Sequence, residues 1–197
     1  MSEILTIDTS AGLQQIEKVE PLIVFGENYK MLDLRIPEYT GGFPAPALVT
    51  LAKRLKMTMK LYSGLGLSAN QCGVAERMFV IGADDFQLVC INPKVIDKGS
   101  LVKDKEGCLS FPGLFLNIER PSWIETEFTN EFGEIKQLTL HGLSARCFLH
   151  ELDHLNGIRY TSYSKPLALK MARQKANKIV KKIIRSHKNG NQTSQRV

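Results

Sequence analysis

Apolar and polar positions follow two different periods along this chain. From Leu48 the apolar residues Leu48, Leu51, Leu55, Met59 and Tyr62 recur three and four apart, the stripe of an amphipathic helix. The cluster Gly41-Gly42-Phe43-Pro44 reads as a loop before it, and Gly64 and Gly66 end it. Strand-like runs follow at Met78 to Ile81, Leu88 to Ile91, Trp123 to Phe128 and Ile135 to Leu140, with Glu131-Phe132-Gly133 as a turn between the last two. Ser144 is placed to cap a helix running to about Asn156, and Gly157 to end it. Pro166 opens a last helix on which Ala172, Ala176, Ile179, Val180, Ile183 and Ile184 share one face. Residues 1 to 20 carry no clear period and read as an extended arm or weak strand. The order helix, several strands, helix, helix predicts an α+β fold rather than alternating βαβ units. Short antiparallel strands are expected to pack around the helix at 144–156, with the C-terminal helix added outside.

The 197 residues suit one domain: a body over residues 1–165, a C-terminal helix over 166–188 packed on it, and a polar tail over 189–197 expected to be disordered. No apolar run approaches the roughly 18 residues needed to span a bilayer. The start, Met1-Ser2-Glu3-Ile4-Leu5, lacks the basic and long apolar regions of a secretory signal, so the cytoplasm is the expected location. Four cysteines (Cys72, Cys90, Cys108, Cys147) then read as buried thiols or a metal ligand rather than disulfides.

The net charge of +6 hides a segregation. Of 26 Lys and Arg, ten lie from Lys165 onward, and no Asp or Glu follows Asp153; the first 164 residues hold 16 basic against all 20 acidic residues, a formal −4. An acidic body carries a basic helix, whose local positive field attracts polyanions. The helix lacks the aromatic anchors favoured at membrane interfaces, so no membrane partner is expected.

His150-Glu151-Leu152-Asp153-His154 fits HExxH on a predicted helix. Residues four apart lie on one helical face, so both imidazoles can reach one metal ion, and Glu151 sits where it can take a proton from metal-bound water. The neighbours Phe148, Leu149, Leu152 and Leu155 are apolar, so the polar face points into the protein rather than into solvent. A hydrolytic site of this type needs a third protein ligand and an open position. Tyr160 stands where the metzincin extension would place a third His, and no acidic residue follows Asp153, so the ligand must come from upstream. Cys108, in Glu106-Gly107-Cys108-Leu109-Ser110-Phe111-Pro112-Gly113, is the best choice; the segment reads as a rigid loop or strand edge. His141, Cys72 and Cys90 are rivals that read as structural, Cys90 as core. Cys147 faces the site side of the helix and reads as pocket lining.

Three segments in order resemble peptide deformylases: Gly64-Leu65-Gly66-Leu67-Ser68-Ala69-Asn70-Gln71, Glu106-Gly107-Cys108-Leu109-Ser110 and His150-Glu151-Leu152-Asp153-His154-Leu155. Ile91-Asn92-Pro93 and Arg120 also look familial, and the resemblance spans roughly residues 43 to 185. It implies a hydrolase that removes the formyl group from N-terminal formylmethionine of newly made polypeptides, releasing formate. Carried over, Cys108, His150 and His154 hold the metal, Glu151 is the general base and acid, and the Gln71 amide and Leu109 N–H face the oxyanion. Gly64, Leu65, Gly66, Glu106, Gly107, Leu143 and Cys147 would contact the substrate. The two glycines at 64 and 66 are read as letting backbone come close to a peptide. The resemblance implies Fe(II) in the cell, with Zn(II), Ni(II) or Co(II) possible in its place, and attachment to the ribosome through the basic helix. Asp153 is expected to pair with Arg120.

This chain departs from the family at Ser68, Asn70 and Leu149. It departs also at Arg146, one turn before His150, where an apolar residue usually lines the methionine pocket. Arg146 is expected to snorkel outward into solvent. The competing readings are a metallopeptidase, weakened by the missing downstream ligand, and a non-enzymatic ribosome-binding homologue, weakened by the complete set of site residues.

Overall fold

The computed structural model describes residues 19–83 and 86–193, with side chains described as far as residue 181. The arm or weak strand expected at the N-terminus thus falls almost wholly outside the described residues. The first long helix, α1 (Pro46–Leu61), starts with proline in its first turn, where a missing N–H costs nothing. Its stripe Leu48, Leu51, Leu55 and Met59 is buried.

Among the described residues seven strands follow: β1 (Gly66–Ser68), β2 (Met78–Ala83), β3 (Phe86–Lys98), β4 (Leu101–Cys108), β5 (Phe111–Pro121), β6 (Trp123–Thr129) and β7 (Ile135–His141). Five form an antiparallel sheet in the order β1-β2-β3-β6-β7, while, among the described residues, β4 and β5 pair only with each other in a two-stranded sheet of their own. The mixed α+β class with antiparallel strands matches the expectation.

The apolar run Met78-Phe79-Val80-Ile81 explains how the five-stranded sheet is covered. Successive side chains point to opposite faces. Met78 and Val80 join the cluster containing Leu48, Leu51, Leu55 and Met59 of α1. Phe79 and Ile81 join the cluster on the other face, with Ile124, Phe128, Leu140, Ala145, Phe148 and Leu155. A strand buried on both sides reads as continuously hydrophobic rather than alternating.

The helix of that cluster is α2 (Gly142–Leu155), which carries the HExxH pentapeptide. Its N-cap is His141 rather than Ser144, and no side chain caps it. Gly142, at φ +53, opens the helix directly from the end of β7, so Ser144 falls inside the first turn instead of before it. Gly157, at φ +72, closes the segment after α2 as expected, in a left-handed conformation that costs glycine least.

The third helix, α3 (Pro166–Thr193), lies along β5. Leu169, Ala172 and Ala176 pack with Phe111, Leu114, Leu116, Ile118 and Tyr160, whereas Ile179 is exposed. The helix runs past Lys188 to Thr193, where an unstructured tail was expected; Ile183, Ile184 and residues 194–197 are not among those described in that detail. No helix among the described residues is long and apolar enough to cross a membrane.

Candidate metal centre

Three potential ligands come from two separate pieces of the fold. Cys108 ends β4; His150 and His154 sit one turn apart on α2 and are buried. One ligand atom from each lies within 4.8 Å of the others. Cys108 Sγ is 3.2 Å from His154 Nε2. His150 Nδ1 donates to Glu106 Oε1 at 2.6 Å, which fixes the ring and leaves Nε2 buried with no hydrogen-bond partner. His154 Nδ1 and Glu151 Oε2 are likewise buried and unpartnered. Unsatisfied buried polar atoms are costly and rare, so this concentration calls for a missing partner. A thiolate and two imidazoles form a donor set that a divalent cation of borderline softness satisfies. The residues fit a metal.

The electrostatics agree. Burial opposes a positive charge on His150, but the Cys108 sulfur and the Glu106 carboxylate outweigh it and raise its proton affinity well above the usual imidazole range. A field that holds a proton there also favours a metal cation. Burial, helped by neighbouring His150, keeps His154 well below the usual range and therefore neutral, as ligation requires. Burial pushes Glu151 up to about 7, against the pull of His150, so it is poised to accept and return a proton near neutrality.

Glu106 is the hub beneath the ligands. Burial works against its charge, yet hydrogen bonds from His150 and Arg120 bring it down to about 2. Arg120 donates to both its oxygens, Nε to Oε2 at 3.1 Å and Nη2 to Oε1 at 2.8 Å, and Arg120 Nη1 donates to Asp153 Oδ2 at 2.6 Å. The expected Asp153–Arg120 pair is therefore present. Arg146 does not snorkel outward. It is buried, and Nη1 donates to Glu106 Oε2 at 3.2 Å and to the Ile118 carbonyl at 2.9 Å, while Nη2 donates to the Val102 carbonyl at 3.0 Å. Outward is where a lone cation goes; three inward acceptors reverse the preference. Glu106 was expected to touch substrate, and it does line the cleft, but its carboxylate is taken by three cationic or imidazole groups.

Gln71 lies in a 3₁₀ turn (Ala69–Cys72) and is 1% exposed, which removes the reading of a surface polar residue. Its Oε1 accepts from Ser68 N at 3.0 Å and Ser68 Oγ at 2.9 Å, so its amide NH₂ is turned toward Ser110 Oγ at 3.1 Å and Cys108 Sγ at 3.5 Å. The departure at Ser68 thus gives Gln71 a second anchor. Asn70 donates to the His154 carbonyl at 2.7 Å and ties this turn to the end of α2.

These groups line a cleft of about 730 Å³ whose walls include Gly64, Leu65, Gly66, Gln71, Glu106, Gly107, Cys108, Leu109, Leu143, Cys147, His150 and Glu151. Every sequence-predicted site residue except His154 thus lines the cleft, and His154 lies beneath it against Cys108. The glycines serve a closer purpose than the substrate. A Cβ on Gly66 would stand 2.5 Å from Glu151 Oε1 and 2.7 Å from Cys147 Sγ; one on Gly107 would stand 2.5 Å from the Phe115 ring. Burial pushes the Cys147 thiol well up, and Sγ donates to the Leu65 carbonyl at 3.0 Å, which makes it lining rather than a ligand. Cys90 and Cys72 are core residues, and His141 is exposed at the end of β7.

Sequence reading missed Ser110, Val24, Gly26, Tyr62, Lys105 and Phe115. Ser110 stood inside a motif already singled out, so a signal for it existed. Val24 and Gly26 line the cleft from the segment before α1, which has no period of its own.

The polypeptide deformylase family pattern matches residues 24–170, about three quarters of the chain. The chain belongs to the polypeptide deformylase family. The match begins at 24, earlier than the motifs indicate, and so takes in the segment carrying Val24 and Gly26. A peptide deformylase of Synechococcus sp. (strain RCC307) is 40% identical over 116 residues, 56% of this chain; the match spans 58% of that relative's length, less than two thirds. Among solved structures, a peptide deformylase from Legionella pneumophila is 30% identical with a TM-score of 0.76, covering 84% of this chain and 98% of that one. One from Synechococcus elongatus, in complex with actinonin, is 31% identical with a TM-score of 0.75, covering 88% of this chain and 95% of the other.

Proposed function

We propose that this chain is a metal-dependent hydrolase that removes the N-formyl group from formylmethionine at the start of newly made polypeptides, in the cytoplasm. That is the activity of its family. The observation that carries the proposal is the meeting of Cys108, His150 and His154 beside the buried carboxylate of Glu151, whose Oε2 has no hydrogen-bond partner, in one cleft.

When bound, a divalent metal supplies Lewis acidity and makes hydroxide available near neutral pH; we assign Fe(II) in the cell, with Zn(II), Ni(II) or Co(II) as substitutes. Cys108, His150 and His154 would hold it. Glu151 takes the proton of the attacking water and delivers it to the leaving amine as the carbon–nitrogen bond breaks, giving formate and a free N-terminus. The Gln71 NH₂, already turned toward Cys108, and the Leu109 N–H donate to the oxygen on which negative charge develops. The Gly64–Leu65–Gly66 edge and the Gly107 side of the cleft take the peptide backbone, with Leu143 and Cys147 against the methionine side chain. The basic face of α3 is proposed to dock on the ribosome, where the substrate emerges.

The test is formate release from formyl-Met-Ala-Ser by anaerobically prepared protein whose metal content is measured in parallel. Glu151→Ala should lose about 10²- to 10⁴-fold in kcat/KM while retaining its metal. Metal-loaded wild type that releases no formate would sink the reading, and zinc rather than iron in the anaerobic preparation would sink the metal assignment.

A further inference from the structure

The three ligands belong to bodies that no β-ladder joins. Cys108 rides on the β4–β5 pair, which among the described residues hydrogen-bonds as strands only with itself, and both histidines ride on α2. Beside the backbone bond from Gly142 N to the Ser122 carbonyl at the open end of the hairpin, the spacing between sulfur and imidazoles is held by side chains that cross from one body to the other. Two arginines cross in opposite directions. Arg120 leaves β5 and reaches Asp153 of α2. Arg146 leaves α2 and reaches β4 through Val102 and Glu106, and β5 through Ile118.

We infer that Arg146 is a positioning residue for this site: its guanidinium latches the β4–β5 hairpin to α2 and so fixes how Cys108 stands relative to His150 and His154. The inference rests on reading the three residues as a metal centre. Arg146 lines the cleft beside Leu143 and Cys147 and is 6% exposed. An unbranched apolar side chain would fill that wall without the cost of burying a cation. Arg146 has no carboxylate to itself, because Glu106 is already held by Arg120 from two sides and by His150. A buried charge with a shared counterion contributes little net stability, but it sets direction: a planar fork with fixed donor vectors admits one arrangement of its acceptors. Both Nη atoms are engaged on the hairpin, so they are not available to read a substrate side chain. Arg146 thereby bears on how the site is held rather than on what it selects.

The test uses the full chain loaded with Co(II), comparing wild type, Arg146→Met and Arg146→Lys. Three quantities are read: the rate of metal loss to excess chelator, the visible absorption of bound Co(II), and kcat and KM separately on formyl-Met-Ala-Ser. Arg146→Met keeps the wall and removes the latch, so metal loss should quicken about tenfold and the Co(II) spectrum should shift, with kcat falling while KM holds. Arg146→Lys reaches one acceptor group at a time and should fall between the two. Metal loss and spectrum unchanged in Arg146→Met would overturn the inference, and a rise in KM alone would assign Arg146 to the substrate wall instead. Should the methionine variant not fold, lysine decides alone: metal loss as slow as in wild type refutes the latch, and several-fold faster loss supports it. A wild type that binds Co(II) yet releases no formate would remove the proposed function, while the chelator and spectral arms would still decide the part played by Arg146.

Discussion

Glu151 owes its position to a residue without a side chain. The Gly66 backbone runs so close to α2 that any β-carbon there would collide with the Glu151 carboxylate and the Cys147 sulfur. Gly66→Ala is therefore expected to fold, with the Leu67 side of β1 still buried, but to push the carboxylate aside. Misplacement of a reacting group by about 1 Å can cost about 10²-fold, so kcat should fall by that order with metal content unchanged. Steady-state kinetics with metal analysis checks this; full activity in the alanine variant would mean that Glu151 is mobile enough not to need the gap. Gln71 shows the same dependence on a neighbour. Its place in the cleft was legible only through the motif around it, because a lone glutamine after a turn is ordinarily solvated. The Ser68 contacts that turn its NH₂ toward Cys108 depend on a fold of the chain within four residues.

At the scale of elements, α2 presents chemistry on one side and packing on the other. Phe148, two residues before His150, meets Phe79 edge-on at a ring separation of 5.0 Å and lies 6.4 Å from Phe128. Phe148→Ala should cost about 3–5 kcal/mol of unfolding free energy, measured by denaturant titration of the metal-loaded protein. A cost under about 1 kcal/mol would mean that α2 is seated by its ligand side alone. Strand pairs with a buried face were legible: β2, β6 and β7 were read to within a few residues. The β4–β5 pair was not. From Leu101 to Lys105 every residue of β4 is exposed, so no apolar alternation exists to be read. β5 does alternate, with Leu114, Leu116 and Ile118 inward, but exposed Phe115 interrupts the pattern and Phe111-Pro112-Gly113 resembles a loop. Its burial comes from α3, far along the chain.

Across the whole molecule, charge is divided as the sequence indicates. Lys170, Lys175, Lys178 and Lys181 are exposed on α3, while the opposite side of that helix packs on β5 through Ala172 and Ala176. Arg173 is the exception, half-buried and paired with Glu27 at 2.5 Å. Because α3 covers part of the core, deleting it would confound docking with folding. Reversing Lys175, Lys178 and Lys181 to Glu leaves that packing intact. The triple variant should lose co-sedimentation with ribosomes at low salt and keep wild-type formate release from a tripeptide. Wild type should lose the same co-sedimentation as salt rises, since each phosphate contact releases counterions. Co-sedimentation unaffected by the reversal would remove the basic face from the ribosome proposal.

The HExxH spacing alone put two candidate metal ligands on one face of α2, because residues four apart on a helix are neighbours by local geometry. The sequence by itself also marked four strands of the five-stranded sheet, because burial on one face leaves an alternating pattern and burial on both leaves a continuous apolar run. Cys108 could be ranked first among upstream ligands, but only the fold brought it to the histidines, across more than forty residues of chain. Tertiary structure alone decided the direction of Arg146. A long cationic side chain is drawn to water until enough acceptors are gathered inside, and those acceptors, on β4 and β5, lie 28 to 44 residues away along the chain.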